Sequence, residues 1–231
     1  MTHTIAAFAA AVCLLAQQDQ NPVSERMKEL EGLVSLTTEI KAALSNGNLS
    51  TARQLAGELS PRIDRYVTAL KLDELERQLP AAGPDRIYPV AYAANAAFAA
   101  QDYTKAQAYA RDLLSLAQQY PQDPYQGTAT FYGHMVAGRV ALARDRDLRQ
   151  ATASLLASAQ TTGSPVLRSF GPNMSLAQDL LAAGQRDAVL QFFAQCSTFW
   201  SHTQAKQSLR EWTEVVKGCC RMPNFGANLT Y

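Results

Sequence analysis

The chain has 231 residues and a mass of 25.2 kDa, which is enough to bury a hydrophobic core without help from disulfides or metals. Hydrophobic residues make up 47% of it, charged residues 18%, and 39 Ala and 27 Leu against 15 Ile plus Val favour helices over strands. The net charge is +1 and the sequence has no basic stripe, so we do not expect nucleic acid as a partner.

The first element is an uncharged apolar run from Ile5 to Ala16, followed by the polar stretch 17–21. This order is typical of a secretory signal peptide, although no Lys or Arg precedes the run. The run is too short to cross a bilayer, so no stable membrane span is expected. The alternative is an N-terminal helix packed in the core. We expect an exported protein, periplasmic or secreted, if residues 1–16 act as a leader, and a cytoplasmic one otherwise.

Residues 23–79 are expected to form three helices. Helical spacing places six apolar residues of the first helix on one stripe, namely Val23, Met27, Leu30, Val34, Ile40 and Leu44. Asn46-Gly47-Asn48 ends this helix, and Leu49 to Leu59 returns in the opposite direction as an αα-hairpin. Ser60-Pro61 predicts an N-cap with proline at the first helical position, and hence a third helix that ends before Pro80.

The segment from Ala91 to Leu114 consists of two Ala-rich helical stretches joined at Gln101-Asp102-Tyr103. Small residues at Ala94 and Ala106 let two antiparallel helices approach closely, while the aromatics Phe98 and Tyr103 fill the gap between successive hairpins. The segment thus has a small residue, an aromatic residue, Asp-Tyr and a second small residue in a fixed order. In this pattern the chain resembles the tetratricopeptide repeat (TPR) family.

Three weaker copies of the same signature are found at Leu44–Ala52, Ala143–Ala151 and Leu180–Ala188. We call the alanine on the second helix of each copy its anchoring alanine. The four anchoring alanines are separated by 54, 45 and 37 residues, whereas the family's repeat is about 34 residues long; they are Ala52, Ala106, Ala151 and Ala188. The resemblance implies an irregular TPR-like solenoid, an all-α right-handed superhelix of antiparallel αα-hairpins with about 9–11 helices. It would occupy residues 23–217 and leave 218–231 as a C-terminal tail.

The last part of the chain holds both tryptophans. Trp200 and Trp212 lie on apolar helix faces, and with the tail around Phe225 they are expected to cap the end of the helical array. Four cysteines are present, at positions 13, 196, 219 and 220. Cys196 is expected to be a small buried hydrophobe, although pairing with Cys219 or Cys220 remains open.

No catalytic motif is found in the sequence: it contains no nucleophile elbow, zinc-binding pattern, phosphate loop or dinucleotide fingerprint. We therefore assign no catalytic residue, metal or cofactor. His134 is expected to be a structural histidine, and Arg139, one turn away, is the nearest cation.

In the TPR family the first helix of each hairpin lines a concave groove that holds a peptide or a partner's helix. The resemblance places Tyr88, Asn95 and Phe98 on that groove, with Asn173 in the last copy and His134 and Arg139 near it. We expect a non-enzymatic protein that binds a protein or peptide there. The alternatives are an enzyme with a site near His134, Arg139 and the loop 170–173, or a structural subunit of an oligomer. The oligomeric state is left open.

Overall fold

The computed structural model describes residues 22–218 and 221–229, and within these ranges the chain is helical, with no β-strand. The predicted all-α class is confirmed. The described part contains ten α-helices and two 3₁₀ turns. The helices are α1 (Pro22–Ser45), α2 (Leu49–Arg77), α3 (Ile87–Ala99), α4 (Tyr103–Gln119), α5 (Gln126–Ala143), α6 (Leu148–Ser158), α7 (Pro165–Phe170), α8 (Ser175–Ala182), α9 (Arg186–Cys196) and α10 (Thr203–Lys217). The 3₁₀ turns are Pro84–Arg86 and Gly226–Leu229.

The chain divides into two compact units, with the boundary between Leu70 and Lys71 inside α2. The first unit pairs α1 with the N-terminal part of α2, and Arg62 Nε lies 3.2 Å from Glu29 Oε1 across this pair. The second unit begins at Lys71. All members of the main hydrophobic cluster belong to it, from Leu72 to Phe225.

The buried face of α1 differs from the predicted apolar stripe. Four residues of that stripe are at least 39% exposed: Met27, Leu30, Val34 and Leu44. The side chains that are buried instead are Leu33, Leu36 and Ala43. The side chain of Val23 lies outside the described part. Both stripes have helical spacing, and periodicity alone does not tell which of two adjacent stripes faces a neighbour.

The helix break predicted at Ser60-Pro61 was wrong, since α2 runs unbroken from Leu49 to Arg77 with Pro61 inside it. A proline within a helix removes one hydrogen bond to the carbonyl four residues earlier. Here that carbonyl belongs to Gly57, and both Gly57 and Pro61 are exposed. Water can solvate a carbonyl on an exposed helix face, which lowers the cost of the missing bond.

The second unit contains three helical hairpins, formed by α3 with α4, α5 with α6, and α8 with α9. Helix α5 lies at the centre, because it packs against α3, α4, α6 and α8 and also against the short α7. Helix α6 packs against α8 and α9, and α10 packs against α9 at the C-terminal end. Each of the first two hairpins therefore contacts the next one through both of its helices.

The four predicted hairpin turns share one backbone design. A residue with positive φ lies two positions before the first residue of each second helix. These residues are Gly47 (70°), Gln101 (63°), Arg146 (57°) and Gly184 (82°). At three of the turns the next side chain caps the second helix, because Oδ1 of Asn48, Asp102 and Asp147 accepts a backbone N–H three residues later at 3.2, 2.9 and 2.8 Å. The local turn signals in the sequence therefore located all four connections.

Three of the four anchoring alanines are buried, namely Ala52, Ala106 and Ala151. Ala94 and Ala106 are fully buried in the α3–α4 hairpin, and Ala151 is fully buried in the next one. The fourth anchor is displaced by one residue: Val189 is buried and donates to the carbonyl of Gln185, as Ala106 does to Asp102, whereas Ala188 is half-buried. The offset is present in the sequence, since Ala188 is the fourth residue after the positive-φ residue of its turn, whereas Ala106 and Ala151 are the fifth.

The C-terminal tail packs back on the last helices. Trp200 and Trp212 stack with their centroids 5.7 Å apart, and Phe225 lies against Trp212 at 5.1 Å. The Nε1 of Trp212 donates to the carbonyl of Asn224 at 3.1 Å. All three rings are buried, which confirms the predicted packing role of the tryptophans.

Several expectations fall on residues outside the described ranges, namely the leader 1–16 with Cys13, and the pair Cys219 and Cys220. Cys196 is buried with a free thiol, as expected, and burial raises the pKa of that thiol. Among residues 22–218 and 221–229, no helix combines the length and apolar character needed to cross a membrane.

Candidate functional site

A cavity of about 210 Å³ opens between α3, α5 and α7 in the second unit. Helix α3 contributes four lining residues, α5 one and α7 two. They are Tyr88, Ala91, Tyr92, Asn95, Tyr132, Val166 and Phe170. None of these side chains is acidic or basic, and four of them are aromatic.

The opposite, buried side of helix α3 is rich in alanine. Ala93, Ala94 and Ala97 are fully buried, and such small side chains let α4 and α5 approach closely. Tyr88, Tyr92 and Asn95 follow at steps of four and three residues, which places them on one side of the helix, away from that packing. Tyr88 is 37% exposed and Tyr92 43% exposed.

The two exposed tyrosines of α3 form a fixed pair. Their rings meet at 80° with centroids 4.9 Å apart, and their hydroxyl oxygens lie 3.1 Å apart. This hydrogen bond, together with partial burial, raises the pKa of Tyr88 to about 12. The ring of Tyr125 lies 6.1 Å from that of Tyr88 and extends the aromatic surface beyond the cavity.

The wall opposite α3 is the short helix α7, which the sequence analysis did not identify. Ser164 caps it, since its Oγ accepts the N–H of Leu167 at 3.1 Å. The same Oγ accepts from Thr128 Oγ1 at 2.8 Å in a buried contact that ties α7 to α5. Phe170, at the end of α7, is 64% exposed. A large aromatic side chain is thus held at the rim of the cavity by a helix anchored on α5.

The chain immediately after Phe170 is fixed by the C-terminal tail. Asn228 Nδ2 donates to the carbonyls of Phe170 at 3.1 Å and Pro172 at 3.0 Å. Between them, Gly171 has a φ of 89° and lies so close to Trp200 that an added Cβ would fall 2.5 Å from the ring. Only glycine fits both the backbone conformation and this contact.

Two of the six predicted site residues, Tyr88 and Asn95, line the cavity. Asn95 is half-buried, and its Nδ2 donates to the carbonyl of Ala91 at 2.9 Å. This bond holds the amide against its own helix and orients Oδ1 and the second amide hydrogen for other partners.

Phe98 and Arg139 meet each other rather than the cavity. The guanidinium carbon of Arg139 lies 4.1 Å above the Phe98 ring, and Arg139 Nε is 3.0 Å from Asp179 Oδ2. Tyr103 packs on Phe98 at 5.5 Å. This cluster joins α3, α4, α5 and α8, so its contacts are those of interhelical packing.

His134 and Asn173 lie outside the cavity lining as well. His134 is half-buried on α5, and burial lowers its pKa. Asn173 is buried, and its Oδ1 accepts the N–H of Ser175 at 2.9 Å at the start of α8. The structure thus separates His134, Arg139 and Asn173 from the two residues that share the cavity.

Sequence reasoning missed Tyr92, Tyr132 and Val166 among the lining side chains, and it included Phe170 only in the loop 170–173 of the alternative enzyme site. The sequence could have identified Tyr92, because it lies one helical turn after Tyr88 on the predicted groove face. Tyr132 and Phe170 come from distant parts of the chain, and only the packing of α5 and α7 brings them to α3.

A second surface depression lies between α9 and α10 and has a volume of about 710 Å³. Its floor is apolar, with Leu190, Phe193 and Leu209, and its rim includes Lys206 and Arg210. It has a larger volume than the aromatic cavity and is more open to solvent.

The comparisons with known proteins found no match among family models, curated proteins or solved structures.

Proposed function

We propose that this chain is a TPR-like helical repeat protein that binds a peptide or an extended segment of a partner protein along the first helices of its hairpins. The observation that carries the proposal is the aromatic cavity between α3, α5 and α7. It lies on the face where the TPR resemblance puts the groove, and Tyr88 and Asn95 are among its lining residues.

The size of the cavity supports a peptide over a free small molecule. Small-molecule sites have volumes of roughly 300–1,000 Å³ and enclose most of their ligand. This cavity measures about 210 Å³ and is partly open. It therefore suits one or two anchoring side chains of a longer ligand, whose remainder would lie along the adjacent helices.

The repeated hairpin turns and the buried alanines at the helix contacts support the TPR-like part of the proposal. In this arrangement α3 and α5 are first helices of successive hairpins and α4 and α6 are second helices, as an array of stacked pairs requires. A right-handed superhelix is the geometry that we propose for this stack.

A display library of random peptides, selected on the full chain, tests the proposal. We expect peptides to be selected whose affinity falls at least about tenfold, or about 1.4 kcal/mol, for Tyr88→Ala and for Asn95→Leu. Gln119→Leu is the matched control, because Gln119 is an exposed amide on α4, a second helix. Selected peptides that bind the two cavity variants as well as the original chain would contradict the proposal.

A further inference from the structure

The hydrogen-bonding groups of the aromatic cavity favour a ligand that brings acceptors. Tyr88 and Tyr92 have one hydroxyl proton each, and the bond between their oxygens uses one of the two. The other proton is available to a ligand. Asn95 uses one of its two amide hydrogens on the Ala91 carbonyl and keeps the second. The hydrogen bond with Tyr92 and partial burial raise the pKa of Tyr88 to about 12, so Tyr88 keeps its hydroxyl proton at neutral pH.

The cavity contains no group that could neutralise an ionised carboxylate or phosphate, because none of its seven lining residues is basic. Transferring such an anion out of water without a partner is costly. The aromatic surface instead suits an apolar ring. It continues outside the cavity, since Tyr125, Tyr88 and Tyr92 follow one another with centroid separations of 6.1 and 4.9 Å.

We propose that this cavity recognises a proline-rich segment of the partner in the polyproline II conformation, with a proline ring between Tyr92 and Phe170 and a peptide carbonyl accepting from the Tyr88–Tyr92 pair. This inference rests on the proposed function and specifies the ligand of the same site. Proline supplies a rigid apolar ring and a carbonyl acceptor but no N–H, which matches a donor-bearing aromatic wall.

Other peptide conformations fit these groups less well. A helical ligand uses its carbonyls in its own hydrogen bonds, and a strand needs alternating donors and acceptors from a sheet edge. A polyproline II segment leaves every carbonyl free and rises about 3.1 Å per residue with three residues per turn. Successive rings on one side are therefore about 9 Å apart. The two centroid separations of 6.1 and 4.9 Å limit the row of three tyrosines to about 11 Å.

The test compares capped peptides of about ten L-prolines and about ten D-prolines, measured by calorimetry on the full chain. The two peptides have the same composition and opposite helical handedness, so the comparison separates specific recognition from nonspecific hydrophobic binding. We expect the L peptide to bind at least about tenfold more tightly. Equal binding, or no binding of the L peptide at millimolar concentration, would overturn the inference.

Variants then locate the site. Tyr92→Ala should weaken binding of the L peptide at least about tenfold, whereas Tyr92→Phe, which keeps the ring, should weaken it only a few-fold. Tyr66→Ala in the first unit is the control and should have no effect. Tyr92 is 43% exposed, so its removal leaves the core intact. Equal binding by the Tyr92→Ala variant would overturn the inference.

Two outcomes separate this inference from the proposed function. The random library could yield proline-free peptides whose binding depends on Tyr88 and Asn95. That result would support peptide binding at the cavity and contradict the recognition of a proline-rich segment. If tetramethylammonium competes for the cavity and its neutral isostere 3,3-dimethylbutanol does not, the rings form a cation cage and the inference fails.

Discussion

At the residue scale, Asn228 links the C-terminal tail to the wall of the aromatic cavity. Its side-chain Nδ2 donates to the backbone carbonyls of Phe170 and Pro172, and its backbone carbonyl accepts the N–H of Met174 at 2.8 Å. The side chain is buried, so water does not readily replace these bonds. Phe170 is thereby positioned from a part of the chain nearly sixty residues away.

We expect Asn228→Ala to lower the free energy of unfolding by about 1–3 kcal/mol, because two buried carbonyls lose their donor. Urea denaturation followed by tryptophan fluorescence measures this, since both tryptophans lie in the second unit. Asn224→Ala is the control: Asn224 is exposed, and its side chain makes one local bond to Gly226. Equal losses in the two variants would show that Asn228 has no special role.

His134 gives a second prediction at this scale. Burial lowers its pKa, so the unfolded chain binds a proton at this residue at a higher pH than the folded chain does. Its contribution to stability is therefore present above the unfolded pKa of about 6.5 and is lost as the pH falls below that value.

The variant His134→Gln should lose less stability than the original chain between about pH 7.5 and about pH 5. Urea midpoints at the two pH values measure the difference, and the other titrating groups cancel in the comparison. A larger loss in the variant would mean that protonated His134 is stabilised in the fold, opposite to the effect of its burial.

At the element scale, the centre of the fold depends on glycine as well as alanine. A Cβ at Gly138 of α5 would lie 2.5 Å from Leu176 Cδ2 and 2.8 Å from Ser154 Cβ, and one at Gly133 would lie 2.8 Å from Leu114. Three neighbouring helices thus approach α5 at positions without a side chain. This close approach fixes the distance between α5 and the helices that surround it.

We expect Gly138→Ala to destabilise the second unit by about 1–3 kcal/mol, because the buried neighbours must move. Gly57→Ala is the matched control, since Gly57 lies in α2 with no atom within 4 Å of the added carbon. There alanine should be neutral or stabilising by up to about 1 kcal/mol. Thermal melts followed by circular dichroism compare the two, and a stabilising Gly138→Ala would contradict the close packing described above.

The sequence predicted those elements whose signals are local. Asp102 and Asp147 follow turn residues and cap helices, and this pattern is visible within a few positions. Ser60-Pro61 and Ser164-Pro165 have the same pattern, but only the second begins a helix. At Pro61 the exposed helix tolerates the lost bond, and that exposure is a property of the tertiary structure.

The candidate site was predictable only in part, for the same reason. Tyr88 and Asn95 were found from the register of one hairpin. Phe170 reaches the cavity because α7 is tied to α5 through Ser164 and Thr128, and because Asn228 holds the following turn. These hydrogen bonds, one from Thr128 to Ser164 and two from Asn228 to the carbonyls of Phe170 and Pro172, join residues that are 36 or more positions apart. No short-range pattern encodes them.

At the scale of the whole molecule, the second unit holds both the main hydrophobic cluster and the aromatic cavity. Glu76, near the end of α2, belongs to this unit: its two carboxylate oxygens accept from Lys105 Nζ at 2.8 Å and Tyr109 Oη at 2.6 Å. The end of α2 is therefore fastened to α4 by interactions within the second unit.

We expect the fragment Lys71–Tyr231 to fold by itself, because every residue of the main cluster lies within it. Circular dichroism and the dispersion of amide resonances in NMR spectra test this. The fragment should also bind the selected peptides with unchanged affinity. A fragment with collapsed dispersion would show that residues before Lys71 are needed for the core.

In the function proposed for this chain, ligands occupy the aromatic cavity between α3, α5 and α7. Chemical-shift mapping of the labelled chain with a selected peptide tests it most directly. We expect the largest changes at Tyr88, Tyr92, Asn95 and Phe170, with little change between α9 and α10. Changes confined to Leu190, Lys206 and Arg210 would place the ligand in the other depression and would show that the proposed site is wrong.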